Sequence, residues 1–154
     1  MKYTILILAV LTLLVSTSCD KKVKDVEKDY ITKIQDKSQL NETTEWLVIL
    51  PGLGCHGCIK EGEVFMRDNI DNEKIFFVLT RVESLKILQH KIDINLKDHK
   101  NIYVQKEGGV NMPTNNRIYP CIVYLEKGEV KSYEFQEPGN NAFEKLRDQI
   151  ALAQ

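Results

Sequence analysis

The chain has no surplus of basic side chains. Lys and Arg number 21 against 22 Asp and Glu, for a formal net charge of −1. A nucleic-acid surface leaves a basic footprint, so that class of partner is excluded. No stretch repeats at solenoid length and no long low-complexity run appears, which excludes repeat arrays. The apolar stretch Thr4–Val15 falls short of the about 20 residues that a membrane-spanning helix needs. No histidine follows Cys58, where Ile59 stands instead, so the Cys-x-x-Cys-His attachment site of a c-type haem is missing. Only one Cys-x-x-Cys is present, whereas structural zinc sites commonly take four ligands from two paired motifs. What remains is a chain of 154 residues, enough for one domain with a short tail. Its 28% charged and 43% hydrophobic content is that of an ordinary globular domain.

The first residues read as a targeting segment outside the fold. Lys2 gives a basic start, Thr4–Val15 (TILILAVLTLLV) has secretory-signal length, and Ser16, Thr17 and Ser18 precede Cys19. Small residues directly before a cysteine resemble a bacterial lipobox, with Val15 one place upstream of the usual Leu or Val. The resemblance implies that residues 1–18 are a lipoprotein signal peptide and that Cys19 is lipidated. The mature chain would then be held to a membrane of the bacterial cell envelope, facing the periplasm, with inner and outer membrane not distinguished. Each acyl CH₂ buried contributes about 0.8 kcal/mol to such an anchor. Residues 19–44 are rich in charge and hold no Gly or Pro; they read as a tether, solvated to about Asp29, with room for a short helix through Tyr30, Ile31 and Ile34. In an exported chain disulfides persist. With Cys19 lipidated, Cys55, Cys58 and Cys121 remain, and an odd number argues against a purely structural disulfide framework.

From about residue 45 the pattern becomes that of a folded domain running to the C-terminus. Trp46–Leu50 (WLVIL) and Ile75–Leu79 (IFFVL) are continuous apolar runs, expected as strands buried on both faces. Pro51, Gly52 and Gly54 break the first run, and a helix is expected from about Cys55 with Ile59, Phe65, Met66 and Ile70 on its apolar face. Gly62 within it marks a bend or close packing. Ser84 is a cap for a helix carrying Leu85, Leu88 and Ile92, with Ile87 alongside. Asn101–Gln105 reads as a short strand. Ile118–Leu125 and Val130–Phe135, joined by Glu126-Lys127-Gly128-Glu129, read as a hairpin. Asn141 with Glu144 three residues on forms a capping box for a last helix with Phe143, Leu146 and Ile150 inward. Alternating strands and helices followed by a hairpin predict an α/β fold with a mixed central sheet flanked by helices.

Two distant motifs then meet. Cys55-His56-Gly57-Cys58 follows a buried strand and opens a helix. Tyr119-Pro120-Cys121 opens a strand that turns at Lys127-Gly128 into another. Together they resemble the thioredoxin superfamily over about two-thirds of the chain. The longer gap between Cys58 and Pro120 is similar to that of the exported, membrane-tethered reductases of the cytochrome-maturation and redoxin-like group. The resemblance implies a thioredoxin-like fold with a cis Pro120 whose loop lies against the dithiol and, with Tyr119, binds the substrate. It implies a thiol–disulfide oxidoreductase acting mainly as a protein-disulfide reductase. Its partners would be protein disulfide or dithiol clients and an electron donor, and no cofactor or metal is called for. The chain departs from the family at Gly54, where a tryptophan is frequent, and in lacking an acid within WLVIL.

Thiol–disulfide exchange needs a thiolate attacker and a nearby resolving thiol. Cys55, at the helix start, is the expected attacker, since helix N-terminal amides stabilise a thiolate. Cys58, one turn inside, resolves. His56 between them adds positive charge or a hydrogen bond and tunes the potential. Cys121 is either an accessory thiol or a small buried side chain of the strand. His90 and His99 sit in polar surroundings and receive no role. Two other readings of the dithiol stand beside the enzyme. One is a Cu(I)-carrying domain, because Gly-Leu-Gly-Cys-His-Gly-Cys is similar to the loop of small copper carriers. The other is a non-catalytic envelope adaptor with a structural disulfide.

Overall fold

The structure, a computed structural model, describes residues 22–106 and 108–152. The signal segment and Cys19 lie outside the described residues. Among the described residues no helix is long and apolar enough to cross a membrane.

A five-stranded sheet forms the centre, in the order β3-β2-β1-β4-β5. Strand β1 (Trp46–Pro51) pairs in parallel with β2 (Ile75–Thr80), and β2 in parallel with β3 (Ile102–Val104). On its other side β1 pairs antiparallel with β4 (Cys121–Glu126), which turns back into β5 (Glu129–Phe135). The fold is therefore α/β with a mixed sheet, as the sequence predicts. The apolar runs explain the middle of it. All six residues of β2 are buried, and so are five of six in β1, because both strands carry helices on both faces.

Three helices cover one face: α2 (His56–Asp68), α3 (Leu85–Ile92) and α4 (Ala142–Leu152). Val48, Leu50, Phe77 and Ile122 of the sheet meet Phe65 and Met66 of α2, Ile92 of α3, and Phe143 and Leu146 of α4. Gly62 marks close packing; a Cβ there would come within 2.6 Å of Leu50 Cδ2 and 3.1 Å of the Phe143 ring. Ser84 caps α3 by accepting from the Ile87 N–H at 3.3 Å. At α4, the Gln136 side chain accepts from the Phe143 N–H at 3.1 Å, a cap supplied from the end of β5.

The opposite face is covered by a helix over residues 22–38, α1. This corrects the reading of residues 19–44 as a tether with at most a short helix. Glu27, Tyr30, Ile31, Ile34 and Ser38 are all buried, and their spacing is one helical stripe. Tyr30, Ile31 and Ile34 pack on Leu47, Ile49, Phe76, Val78, Cys121 and Val123. The charged residues that read as solvated chain are the outer surface of this helix.

Candidate functional site

The dithiol stands where β1 ends. The loop from Gly52 to Gly54 is squeezed between two other segments, and this is why two glycines are needed. Gly52 donates to the Thr80 carbonyl at 2.7 Å, and a Cβ on it would fall 2.6 Å from the Arg81 carbonyl oxygen. Gly54 has φ +151°, and its Cβ would collide with the Ile118 carbonyl and lie 2.6 Å from Ile118 Cα. A side chain as large as tryptophan has no room at Gly54. The close approach of residue 118 is why a glycine stands at this position.

Cys55 is the N-cap of α2, with extended backbone at φ −65° and ψ 101°. Its carbonyl accepts from the Ile59 N–H at 2.9 Å, and its own N–H donates to the Ile118 carbonyl at 3.0 Å. Cys55 and Cys58 are joined as a disulfide, with their Cα atoms 5.4 Å apart. Cys55 is half-buried, whereas Cys58 is buried under the first turn. The orphan amides of a helix start carry partial positive charge. No acidic side chain occupies the first turn of α2 to offset it. A Cys55 thiolate would be stabilised there. His56 and Gly57 are exposed, so the outer face of the motif is open to a large partner.

Beside the dithiol runs a short 3-10 turn, Asn115–Ile118, leading to Tyr119 and Pro120. The Tyr119 N–H closes this turn on the Asn116 carbonyl at 3.0 Å, and Pro120 is buried, its carbonyl accepting from the Gln136 N–H at 2.9 Å. The Tyr119–Pro120 bond is trans, as is every peptide bond among the described residues. This corrects the expected cis proline. Trans is favoured by about 0.5–1 kcal/mol for X–Pro bonds. Tyr119, at φ −108° and ψ 146°, holds the extended conformation that suits a residue before proline. The segment does meet the dithiol, but through the Ile118 backbone; the Tyr119 ring packs with the cluster under α1.

Cys121 is buried and unpaired, lying across the ladder from Ile49 and Phe135. Its side chain belongs to the α1 face, the opposite side of the sheet from α2. Burial, and next the Glu27 charge, push its thiol well above the ordinary range. It is a protonated core side chain at neutral pH, not assembled with Cys55 and Cys58.

Sequence reasoning missed Glu27. Its carboxylate is buried and accepts from Thr114 Oγ1 at 2.7 Å, Asn116 Nδ2 at 2.8 Å and the Tyr133 hydroxyl at 3.2 Å. Burial and then the Glu27 charge raise Tyr133 to about 12. Arg81 Nη1 adds a bond to the Arg117 carbonyl at 3.0 Å. The turn that touches Cys55 is therefore held from α1 and from the end of β2. The signal in the sequence is an acid on the apolar stripe of α1. The chain also has a buried acid on the other face. Glu63 of α2 pairs with Lys91 of α3. Both line a cavity of about 170 Å³ whose walls include Leu50, Ile59, Met66 and Leu88. This carboxylate comes from the helix, whereas strand β1 itself carries none.

No family model, curated protein or solved structure matches the chain.

Proposed function

We propose that this chain is a thioredoxin-like thiol–disulfide oxidoreductase, held by a lipid on Cys19 to the bacterial cell envelope and acting mainly to reduce protein disulfides. The supporting observation is the placement of Cys55 and Cys58 at the junction of a buried strand and a helix start, one half-exposed and the other buried. That asymmetry separates an attacking from a resolving sulfur. The reduced Cys55 thiolate attacks a client disulfide, forms a mixed disulfide and releases one client sulfur as thiolate. Cys58 gives its proton to solvent and attacks Cys55 Sγ. The second client sulfur leaves as thiolate, and the Cys55–Cys58 disulfide persists until a donor dithiol reduces it. His56, at the first helical position, supports the Cys55 thiolate. The Ile118–Pro120 backbone beside Cys55 is where an extended client segment would be guided.

The test is the reduction potential of the dithiol together with insulin reduction. A potential within reach of a cellular dithiol donor, with activity lost in Cys55→Ser, supports the enzyme. Activity that survives removal of both cysteines sinks it, and a disulfide that resists strong reductant makes the pair a structural staple.

A further inference from the structure

The polarity of α1 says which way the domain faces. One end of the sheet is defined by the carboxyl ends of β1 and β2, the start of β4 and the end of β5. Pro51 pairs there with Thr80, Ile49 with Cys121, and Cys121 with Phe135. The dithiol stands on that end. α1 points its amino end the same way. Tyr30 lines one cavity with Thr80 and Arg81, and Glu27, a turn earlier, reaches Thr114 and Asn116. Toward its carboxyl end, Gln35 donates to the Gly128 carbonyl in the β4–β5 turn, at the far end of the sheet. The chain thus enters the described structure at residue 22 on the dithiol side. Cys19 is three residue steps before it, a reach of at most about 10 Å.

Five of the six exposed large apolar side chains belong to segments at the same end. Among the described residues, the exposed large hydrophobics are Val23, Val26, Leu53, Leu85, Ile87 and Leu152. Val23 and Val26 belong to the first turns of α1, Leu53 to the β1–α2 loop, and Leu85 and Ile87 to the first turn of α3. Leu152 alone lies elsewhere, at the carboxyl end of α4. Ile87 is 69% exposed and Val23 45%, although α3 has inward positions at Leu88 and Ile92 that take the core contacts. The five come from three separate elements at one end of the domain, an arrangement suited to a broad surface. Lys22, Lys24 and Lys86 stand among them, but so do Asp25 and Glu83, so apolar contact and not charge is the common feature.

We propose that the dithiol end is a bilayer-docking face. The occupant is the lipid surface. The Cys19 lipid brings the amino end of α1 to the membrane, and Val23, Val26, Leu53, Leu85 and Ile87 enter the boundary between headgroups and acyl chains. Cys55 then looks toward the membrane, and its clients are disulfides presented close to the bilayer, not on proteins diffusing freely in the compartment. The inference rests on the lipid anchor proposed above.

The test uses the mature full chain with its anchor in phosphatidylcholine–phosphatidylglycerol vesicles, the Cys55–Cys58 disulfide kept intact. A fluorophore is placed by Lys86→Cys at the dithiol end or by Lys37→Cys at the far end of α1; both positions are exposed, and buried Cys121 stays unlabelled. Brominated lipid should quench the label at 86 at least about threefold more than the label at 37. Combining Lys86→Cys with Leu53→Ser and Ile87→Ser should remove that difference while the chain still floats with the vesicles. Equal quenching at the two positions, or stronger quenching at 37, in a chain that floats overturns the orientation alone. A chain that does not float, or whose flotation is unchanged by Cys19→Ser, overturns the anchor instead; without flotation the docking face falls with it.

Discussion

The backbone N–H of Cys55 donates to the carbonyl oxygen of Ile118 at 3.0 Å. This bond ties the start of α2 to the turn before Pro120. The first motif is therefore bonded to the residue just before the second, and Gly54 is the residue that lets them come this close.

Gly54→Ala should break that approach. Its Cβ meets backbone on the Ile118 side, which cannot rotate away, and its φ is one that side chains resist. A loss of about 2 kcal/mol or more is expected in denaturant unfolding. Gly57→Ala is the control. Nothing lies within 4 Å of a Cβ there, and alanine at a helical position should leave stability equal or up to about 1 kcal/mol higher.

Cys58→Ser should accumulate a mixed disulfide through Cys55, because the half-exposed sulfur can still attack and the resolving one is gone. Cys55→Ser should trap little. Mass spectrometry of the trapped species in the native cell identifies the client. Equal trapping by both variants would overturn the division into an attacking and a resolving sulfur.

Glu27→Ala should cost about 1–3 kcal/mol, since Thr114, Asn116 and Tyr133, all part-buried, would each lose an acceptor. A second readout separates the charge from the packing. A neighbouring carboxylate disfavours the phenolate of Tyr133, so removing it should lower that tyrosine from about 12 toward its ordinary value of 10.0. Ultraviolet titration of tyrosinate absorbance checks the direction.

Tyr30 is raised to about 12, chiefly by burial. Its folded value lies above the unfolded one, so its contribution to stability is fully present below pH 10 and is lost as pH rises toward 12. In that window the unfolded chain releases a proton that the folded chain keeps. Tyr30→Phe should match the parent near neutral pH and fall less steeply between pH 10 and 12, by up to about 3 kcal/mol. Denaturant midpoints across that range decide it; parallel slopes would mean that Tyr30 does not titrate on unfolding.

Much of the sheet was legible because WLVIL and IFFVL are apolar without interruption and too short for a buried helix, which leaves a strand covered on both faces. Local capping was readable at Ser84, whose hydroxyl does what its position implies. The hairpin was placed early by a turn, since Ile118 closes a 3-10 helix and strand β4 begins at Cys121. The first helix was hidden by chemistry. Glu27 and Ser38 occupy its inner stripe, and a buried carboxylate that finds three donors cannot be told from a solvated one by residue type. At the site, Cys55 and Cys58 were visible from spacing alone. The contact from Ile118 was not, because it is made by backbone, and any residue could supply it. The trans bond before Pro120 was equally out of reach of a motif.

The position of Cys121 bears on how the chain acquires its disulfide. A cysteine next to a proline and close in sequence to the site's second motif could compete for either sulfur of the pair. Instead the pleat of β4 turns its thiol through the sheet, to the side that α1 seals. Once the strands have paired, wrong cross-links are closed off by a wall of backbone. Among Cys55, Cys58 and Cys121, oxidation after that point joins only the first two.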